Sequence, residues 1–257
     1  MWAWGSNTLG QLGDGTNINR LTPVQIGTDN NWKSASVNSV GKHSLAIKTD
    51  GTLWAWGGNN YGQLGDGTSI SKNIPIQIGT DTDWKSIDTG FNFSVAIKTN
   101  GTLWSWGINN YGQLGLGHQM NRSTPQQIGI NNDWITFRIQ YETCHAIKSN
   151  GTLWAWGSNN PTSELYYYLG DGTTAAYRSS PTQIGTDNNW THLGAHSAIK
   201  SNGTLWGWGF NLGGQVGDGT NITRPNPTQI GTANNWKQLY YASKLKTDGT
   251  LWTNGTN

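Results

Sequence analysis

Only two glutamates occur in the 257 residues, Glu142 and Glu164, and both lie outside any repeated pattern. Two such carboxylates are the raw material of general acid–base chemistry, and set on either side of a sugar linkage they would serve as a glycoside-hydrolase pair. Nothing in the sequence fixes their separation, so the competing reading makes them rim residues of a binding surface. Cys144 beside His145 has the residue types of a thiol nucleophile and its base. Neighbours on a strand point to opposite sides, however, and a dyad would require the chain to reverse there. His192 and His196 converge on a zinc ion only if a helix carries them, whereas their segment reads as strand, loop and strand. No metal site is expected. The GDG aspartates Asp14, Asp66, Asp171 and Asp218 resemble a calcium loop, but Leu116 takes the place of one and no recurring glutamate completes a ligand shell. They read as turn formers. No phosphate loop, dinucleotide fingerprint or serine elbow is present, so no cofactor is expected and no enzyme is recognised.

The elements that would have to position these residues are repetitive. GTLW recurs from Gly51, Gly101, Gly151, Gly203 and Gly249, and Trp2 opens the chain in the same register, so Trp2 to Trp252 spans five periods averaging fifty residues. A second tryptophan follows two residues later at Trp4, Trp56, Trp106, Trp156 and Trp208. A third stands alone at Trp32, Trp84, Trp134, Trp190 and Trp236, which accounts for all sixteen. Such regularity assigns the rings to a core, each burying roughly 150–250 Å². Each period reads as four short strands. In the second they are A from Trp84, B ending at Lys98, C from Thr102 and D from Pro125, with B and C joined by a glycine turn. Alternation along strand C puts both rings of Trp-x-Trp on one face. The fold class is therefore all-β, a β-propeller of about five four-stranded blades. It is read as a single domain over residues 1–257, with periods starting near Trp2, Trp54, Trp104, Trp154 and Trp206 and a closing strand at 249–254. Closure by overlapping N- and C-terminal strands is expected, with Trp4 supplying the ring that Asn254 cannot.

Composition narrows the classes of partner. Charged residues make up 12% and the formal charge is +2, too little and too evenly spread for a phosphate-binding stripe, so no nucleic-acid partner is expected. No apolar run approaches the roughly 20 residues of a membrane span, and the lone Cys144 excludes an internal disulfide framework.

The run WGxNxxGQLGDG, a proline-bearing strand and the HSLAIKTDGTLWAWG stretch from His43 resemble the regulator of chromosome condensation repeat family over essentially the whole chain. That resemblance implies a propeller and macromolecular binding more than chemistry, since members include a nucleotide-exchange factor, ubiquitin-ligase modules and a secreted β-lactamase inhibitor. It also gives His43 a structural hydrogen bond. Family propellers usually have seven blades, and this chain offers five periods.

Residues that obey the repeat are explained by the fold, so recognition is sought where the repeat breaks. The spacing from the lone tryptophan to the alanine position of AIK runs 14, 12, 12, 8 and 8, and the fourth period replaces YGQ by Pro161–Tyr168. A–B and C–D connections emerge on one side of a blade, which places the variation on one face. The candidate binding residues are Phe91, Phe93, Arg138, Tyr141, Glu142, His145, Glu164, Tyr166, Tyr167, Tyr168, Tyr240 and Tyr241, a set rich in the rigid aromatic contacts typical of interfaces. The function expected is non-catalytic binding of a macromolecule, most simply a protein, with carbohydrate hydrolysis through Glu142 and Glu164, or inhibition of a secreted enzyme such as a β-lactamase, as alternatives. Asn, Thr and Gly richness suggests a secreted or surface protein of a bacterium.

Overall fold

The computed structural model describes residues 1–37, 42–159, 169–240 and 243–253. Every element there is a β-strand. The chain divides into two compact units, Met1–Asn110 with His118–Asn132, and Tyr111–Gly117 with Asp133–Asn257.

The first unit begins with β1 (Trp2–Gly5) paired antiparallel to β2 (Arg20–Gln25). Two four-stranded antiparallel sheets follow: β3 (Trp32–Val37), β4 (His43–Lys48), β5 (Leu53–Gly57) and β6 (Lys72–Gln77), then β7 (Trp84–Thr89), β8 (Phe93–Lys98), β9 (Leu103–Gly107) and β10 (Arg122–Gln127). The second unit holds β11 (Trp134–Gln140), β12 (Thr143–Lys148), β13 (Leu153–Ser158) and β14 (Tyr177–Gln183), then β15 (Trp190–Gly194), β16 (Ser197–Lys200), β17 (Leu205–Gly209) and β18 (Arg224–Gln229). It ends in a three-stranded sheet of β19 (Trp236–Leu239), β20 (Ser243–Lys246) and β21 (Leu251–Thr253). These are the four-stranded blades read from the repeat, in strand order A to D. Strand D starts earlier than Pro125, at Arg122, which pairs with Gly107 across an irregularity in the ladder. Among the described residues β1 pairs only with β2 and β21 only with β20, and Asn254 lies outside them.

Each blade is organised by its lone tryptophan. A bulge directly after that residue sets it opposite the strand-B lysine, as in Trp84↔Lys98 followed by Ser86↔Ile97. The indole meets both strand-C rings edge-on: Trp84 lies 6.0 Å from Trp104 and 6.2 Å from Trp106. The Lys98 ammonium sits 4.7 Å over Trp84 and 4.8 Å over Trp104 and bonds Asp81 at 2.7 Å. Edge-to-face pairs contribute about 0.5–1.5 kcal/mol beyond area burial, and a desolvated ammonium over an indole about 2 kcal/mol. Burial alone would lower the pKa of Lys98, but the hydrogen bonds its ammonium donates to Asp81 and Asp83 outweigh it and the net shift is upward.

Successive blades within a unit then interlock. The Leu45, Ile47 and Leu53 face of one blade packs on Trp84, Ala96 and Trp106 of the next, and Ile147, Leu153 and Leu169 pack on Trp190, Ala198 and Trp208. The second strand-C indole donates to a carbonyl of the preceding C–D loop, Trp106 Nε1 to Gln63 O at 2.9 Å and Trp156 Nε1 to Gln113 O at 3.1 Å. A glycine allows that approach: a Cβ on Gly115, held at φ +70°, would stand 2.8 Å from Trp156 Nε1. Gly115→Ala therefore combines left-handed strain with overpacking and is expected to lower stability by about 2–4 kcal/mol, read as a drop in urea midpoint at unchanged m-value.

The GDG aspartates fix the loop to strand D. Asp14 accepts hydrogen bonds from Thr16, Arg20 and the buried Asn7, the last at 3.0 Å. Burial alone would raise its pKa, but these donors outweigh it and hold the carboxyl at about 2. A folded pKa below the unfolded one means the contribution is complete above about pH 4 and disappears as pH falls through about 2. Asp14→Ala is thus expected to lose stability at pH 7 yet lose less further stability than the wild type between pH 4 and 2, a difference that urea titrations at the two pH values would measure.

Candidate binding hairpins

The A–B hairpin tips are tied to the end of strand C or the start of the C–D connection in three blades: Gly58 N donates to Lys42 O at 2.6 Å, Ile108 N to Asn92 O at 2.9 Å and Ser158 N to Glu142 O at 3.0 Å. In the next blade the bond to the tip comes from within strand C, Trp208 N to His196 O at 3.1 Å. Within a blade, then, the two variable connections share one end, as the strand order requires. The changing tryptophan-to-alanine spacing is a change in hairpin length as well as loop length, since strand A shortens from seven residues in β11 to four in β19. The longer hairpins project their tips further.

Three tips turn through a non-glycine residue in the left-handed region: Asn92 at φ 63°, Tyr141 at 52° and His196 at 48°. For residues with a β-carbon this conformation costs about 1–2 kcal/mol. Asn92 repays part of the cost by hydrogen bonding, accepting from Gln63 Nε2 at 3.2 Å. Tyr141 stands 51% exposed on the same hairpin as exposed Arg138 and half-buried Glu142. Desolvation raises the pKa of the Glu142 carboxyl. Tyr240, at the tip after β19, is 47% exposed. In the first unit Phe91 is half-buried, with the Lys42 ammonium 5.3 Å from its ring.

Two expected surface residues are core. Phe93 is fully buried, because the first residue of strand B points inward beneath the tip. His145 is also buried, occupying the place of Leu45 and Val95, with its Nε2 3.2 Å from both the Trp208 indole nitrogen and the Leu169 carbonyl oxygen. His145 is thus a core residue that brings a polar ring to the buried Trp208 indole. Glu164, Tyr166, Tyr167, Tyr168 and Tyr241 lie outside the described residues, where Asn159 and Leu169 flank the first four. His43 bonds Ser94 Oγ at 2.8 Å and burial lowers its pKa to about 3, the structural role its position implies. Among the described residues no group of His, Cys, Asp or Glu side chains is arranged to hold a metal ion.

The repeat family described as the regulator of chromosome condensation (RCC1) repeat matches residues 1–47, 50–97 and 100–144, more than half of the chain. The chain belongs to this family. Its β-propeller fold is shared with human WBSCR16, at 21% identity and a TM-score of 0.83 over 100% of this chain and 71% of the other. Prp20p of Saccharomyces cerevisiae matches at 20% identity and a TM-score of 0.73 over 93% of this chain and 62% of its own. Among sequence relatives, the ultraviolet-B receptor UVR8 of Arabidopsis thaliana is 36% identical over 75 residues, 29% of this chain and 17% of the receptor. The mitochondrial RCC1 domain-containing protein RUG3 of the same plant is 31% identical over 87 residues, 34% of this chain and 20% of RUG3. The matched segments thus span a fifth or less of these relatives. They are eukaryotic, so the compositional expectation of a secreted bacterial protein gains no support from them.

Because Tyr141 holds a half-exposed ring at a left-handed tip, Tyr141→Gly is expected to match or exceed the wild type in urea midpoint, while Tyr141→Val loses about 1–2 kcal/mol. Equilibrium unfolding of the two variants checks the strain directly.

Proposed function

We propose that the chain is a non-catalytic binding propeller that recognises a protein through the hairpin tips of its second unit, with Arg138, Tyr141, Glu142 and Tyr240 as contacts and residues 161–168 as an adjoining part of the same surface. The observation that carries this reading is Tyr141, a half-exposed ring held at φ 52° where glycine would be less strained. Strain kept at an exposed aromatic residue is a mark of recognition loops rather than of folding requirements. Yeast Prp20 supports the class of function, having been solved with Kap60 bound and studied for its binding to Gsp1p and histones.

Protein rather than nucleic acid is favoured because the basic residues serve the scaffold. Arg20, Arg178 and Arg224 are paired with Asp14, Asp171 and Asp218, and Lys48, Lys98, Lys148 and Lys200 lie buried over indoles. Few cations remain for phosphates. One observation favours hydrolysis instead: the desolvated Glu142 carboxyl has the raised pKa of a general acid.

Affinity capture with the wild type, with Tyr141→Ala/Tyr240→Ala and with alanine at Tyr166, Tyr167 and Tyr168 separates the readings. The proposal expects specific proteins to be recovered by the wild type and lost by at least tenfold in both variants, tyrosine anchors contributing about 2 kcal/mol each. Identical recovery from all three removes the proposed surface. Loss of glycoside turnover in Glu142→Gln/Glu164→Gln would instead establish the hydrolase.

A further inference from the structure

The turns that join strands B and C carry a residue pair with chemistry of its own: Asp50-Gly51, Asn100-Gly101, Asn150-Gly151, Asn202-Gly203 and Asp248-Gly249. Asparagine before glycine is the pair that closes most readily to a succinimide, because glycine has no Cβ to keep its nitrogen from the side-chain carbonyl carbon. The fold cannot dispense with the glycine. Gly151 and Gly203 stand at φ +77° and +78°, and a Cβ on either would collide with the carbonyl oxygen of Asn188 or Asn234.

Each asparagine is held by a hydrogen-bonded relay that starts in the core. Trp104 Nε1 donates to Thr102 Oγ1 at 2.9 Å, and Thr102 donates to Asn100 Oδ1 from its hydroxyl at 2.7 Å and from its main-chain nitrogen at 3.1 Å. The same relay runs through Trp154, Thr152 and Asn150, and through Trp206, Thr204 and Asn202. The nitrogen that would attack is engaged as well. Gly101 N donates to Lys98 O at 2.9 Å, Gly151 N to Lys148 O at 2.9 Å and Gly203 N to Lys200 O at 2.8 Å. Cyclisation requires that N–H to lose its proton and turn onto Cγ, so these bonds must open first, although all three asparagines are exposed.

The remaining two turns show which product the fold accepts. Asp50 and Asp248 receive the same pair of bonds, from the hydroxyl and nitrogen of Thr52 and of Thr250. Those donors hold both carboxyls below their usual pKa. An aspartate formed at position 100, 150 or 202 would therefore take its place in the relay.

We propose that Asn100, Asn150 and Asn202 are sites of spontaneous deamidation whose rate is governed by opening of the threonine–tryptophan relay. Hydroxide removes the proton from the following glycine nitrogen, which bonds to Cγ, and the carboxamide nitrogen takes a proton from water and leaves as ammonia. Water then opens the five-membered imide. Cleavage at Cγ restores the main chain with an aspartate side chain that the turn accommodates. Cleavage at the main-chain carbonyl leaves isoaspartate, whose chain runs through Cβ and Cγ and is one carbon longer, so the bond from Lys98 N to Thr102 O that closes the first of these hairpins at 3.0 Å is lost. Either product adds one negative charge.

The intact protein is aged at mildly alkaline pH, folded and in guanidinium chloride, and the sites are followed by peptide mass spectrometry, with isoaspartate scored by an isoaspartate-specific carboxyl methyltransferase. All three asparagines are expected to react at least about tenfold more slowly in the folded protein, since several hydrogen bonds must open together. Thr102→Val keeps the side-chain shape without the hydroxyl and should speed Asn100 by at least about threefold while Asn150 and Asn202 keep their wild-type rates. Asn100→Asp should retain the wild-type urea midpoint. Equal rates in folded and unfolded protein overturn the proposal, as does a Thr102→Val variant that accelerates all three sites alike, which would make global unfolding the gate. An unchanged or slower Asn100 in that variant overturns it too, a slower one making the hydroxyl a stabiliser of the attacked carbonyl. A lowered midpoint in Asn100→Asp removes the claim that the turn accepts the aspartate product.

Discussion

One interaction underlies the rest of the architecture: the ammonium of each strand-B lysine held over two indoles and, in the four complete blades, against an aspartate. In the last sheet, where Lys246 lies 4.9 Å from Trp236 and 4.6 Å from Trp252, it persists even though strand D is absent from that sheet. The bulge after the lone tryptophan exists in every A–B ladder because this stack needs the two residues opposite each other. With the ring cluster fixed, the second strand-C indole reaches the preceding loop carbonyl, the glycine beneath it becomes obligatory, and the aspartate–arginine or aspartate–lysine pair secures the loop to strand D. A chain only 34% hydrophobic can fold this way because its charges take part in the core.

The fold was legible because each of these steps recurs at a fixed spacing. Sixteen tryptophans in three registers announce blades, and GTLW announces the hairpin between strands B and C. What sequence reasoning missed was the lysine. It recurs in every period as faithfully as the tryptophans, and the aspartate of the GTD stretch recurs with it in most, but a lysine is read by default as a solvated charge. Recurrence at a core period was the available signal. Strand D was placed late for the same reason, since Arg20, Arg178 and Arg224 look like loop residues until their carboxylate partners are seen, and Arg122, in the blade with Leu116, lies against His118 instead.

Loop variability located the end of the blade that the A–B and C–D connections share, as the backbone bonds donated to the tip carbonyls show. Which variable residues face outward was not legible. Phe93 and His145 interrupt the repeat as strongly as Tyr141 does, yet one fills space under a tip and the other is buried against the Trp208 indole. An irregular residue can repair the scaffold or leave it, and sequence alone does not distinguish the two. Exposure separates them in the structure: Tyr141 is 51% exposed where Phe93 and His145 are buried.

The enclosure of so many cations also governs how a partner arrives. With five lysines over indoles and three arginines locked to aspartates, half of the sixteen cations belong to the scaffold, and the field of the rest falls off within a Debye length of about 8 Å at physiological salt. Encounter is then unsteered diffusion, with association rates near the 10⁵–10⁶ M⁻¹s⁻¹ of neutral pairs and nearly flat against ionic strength, so discrimination among partners falls to how long each complex lasts.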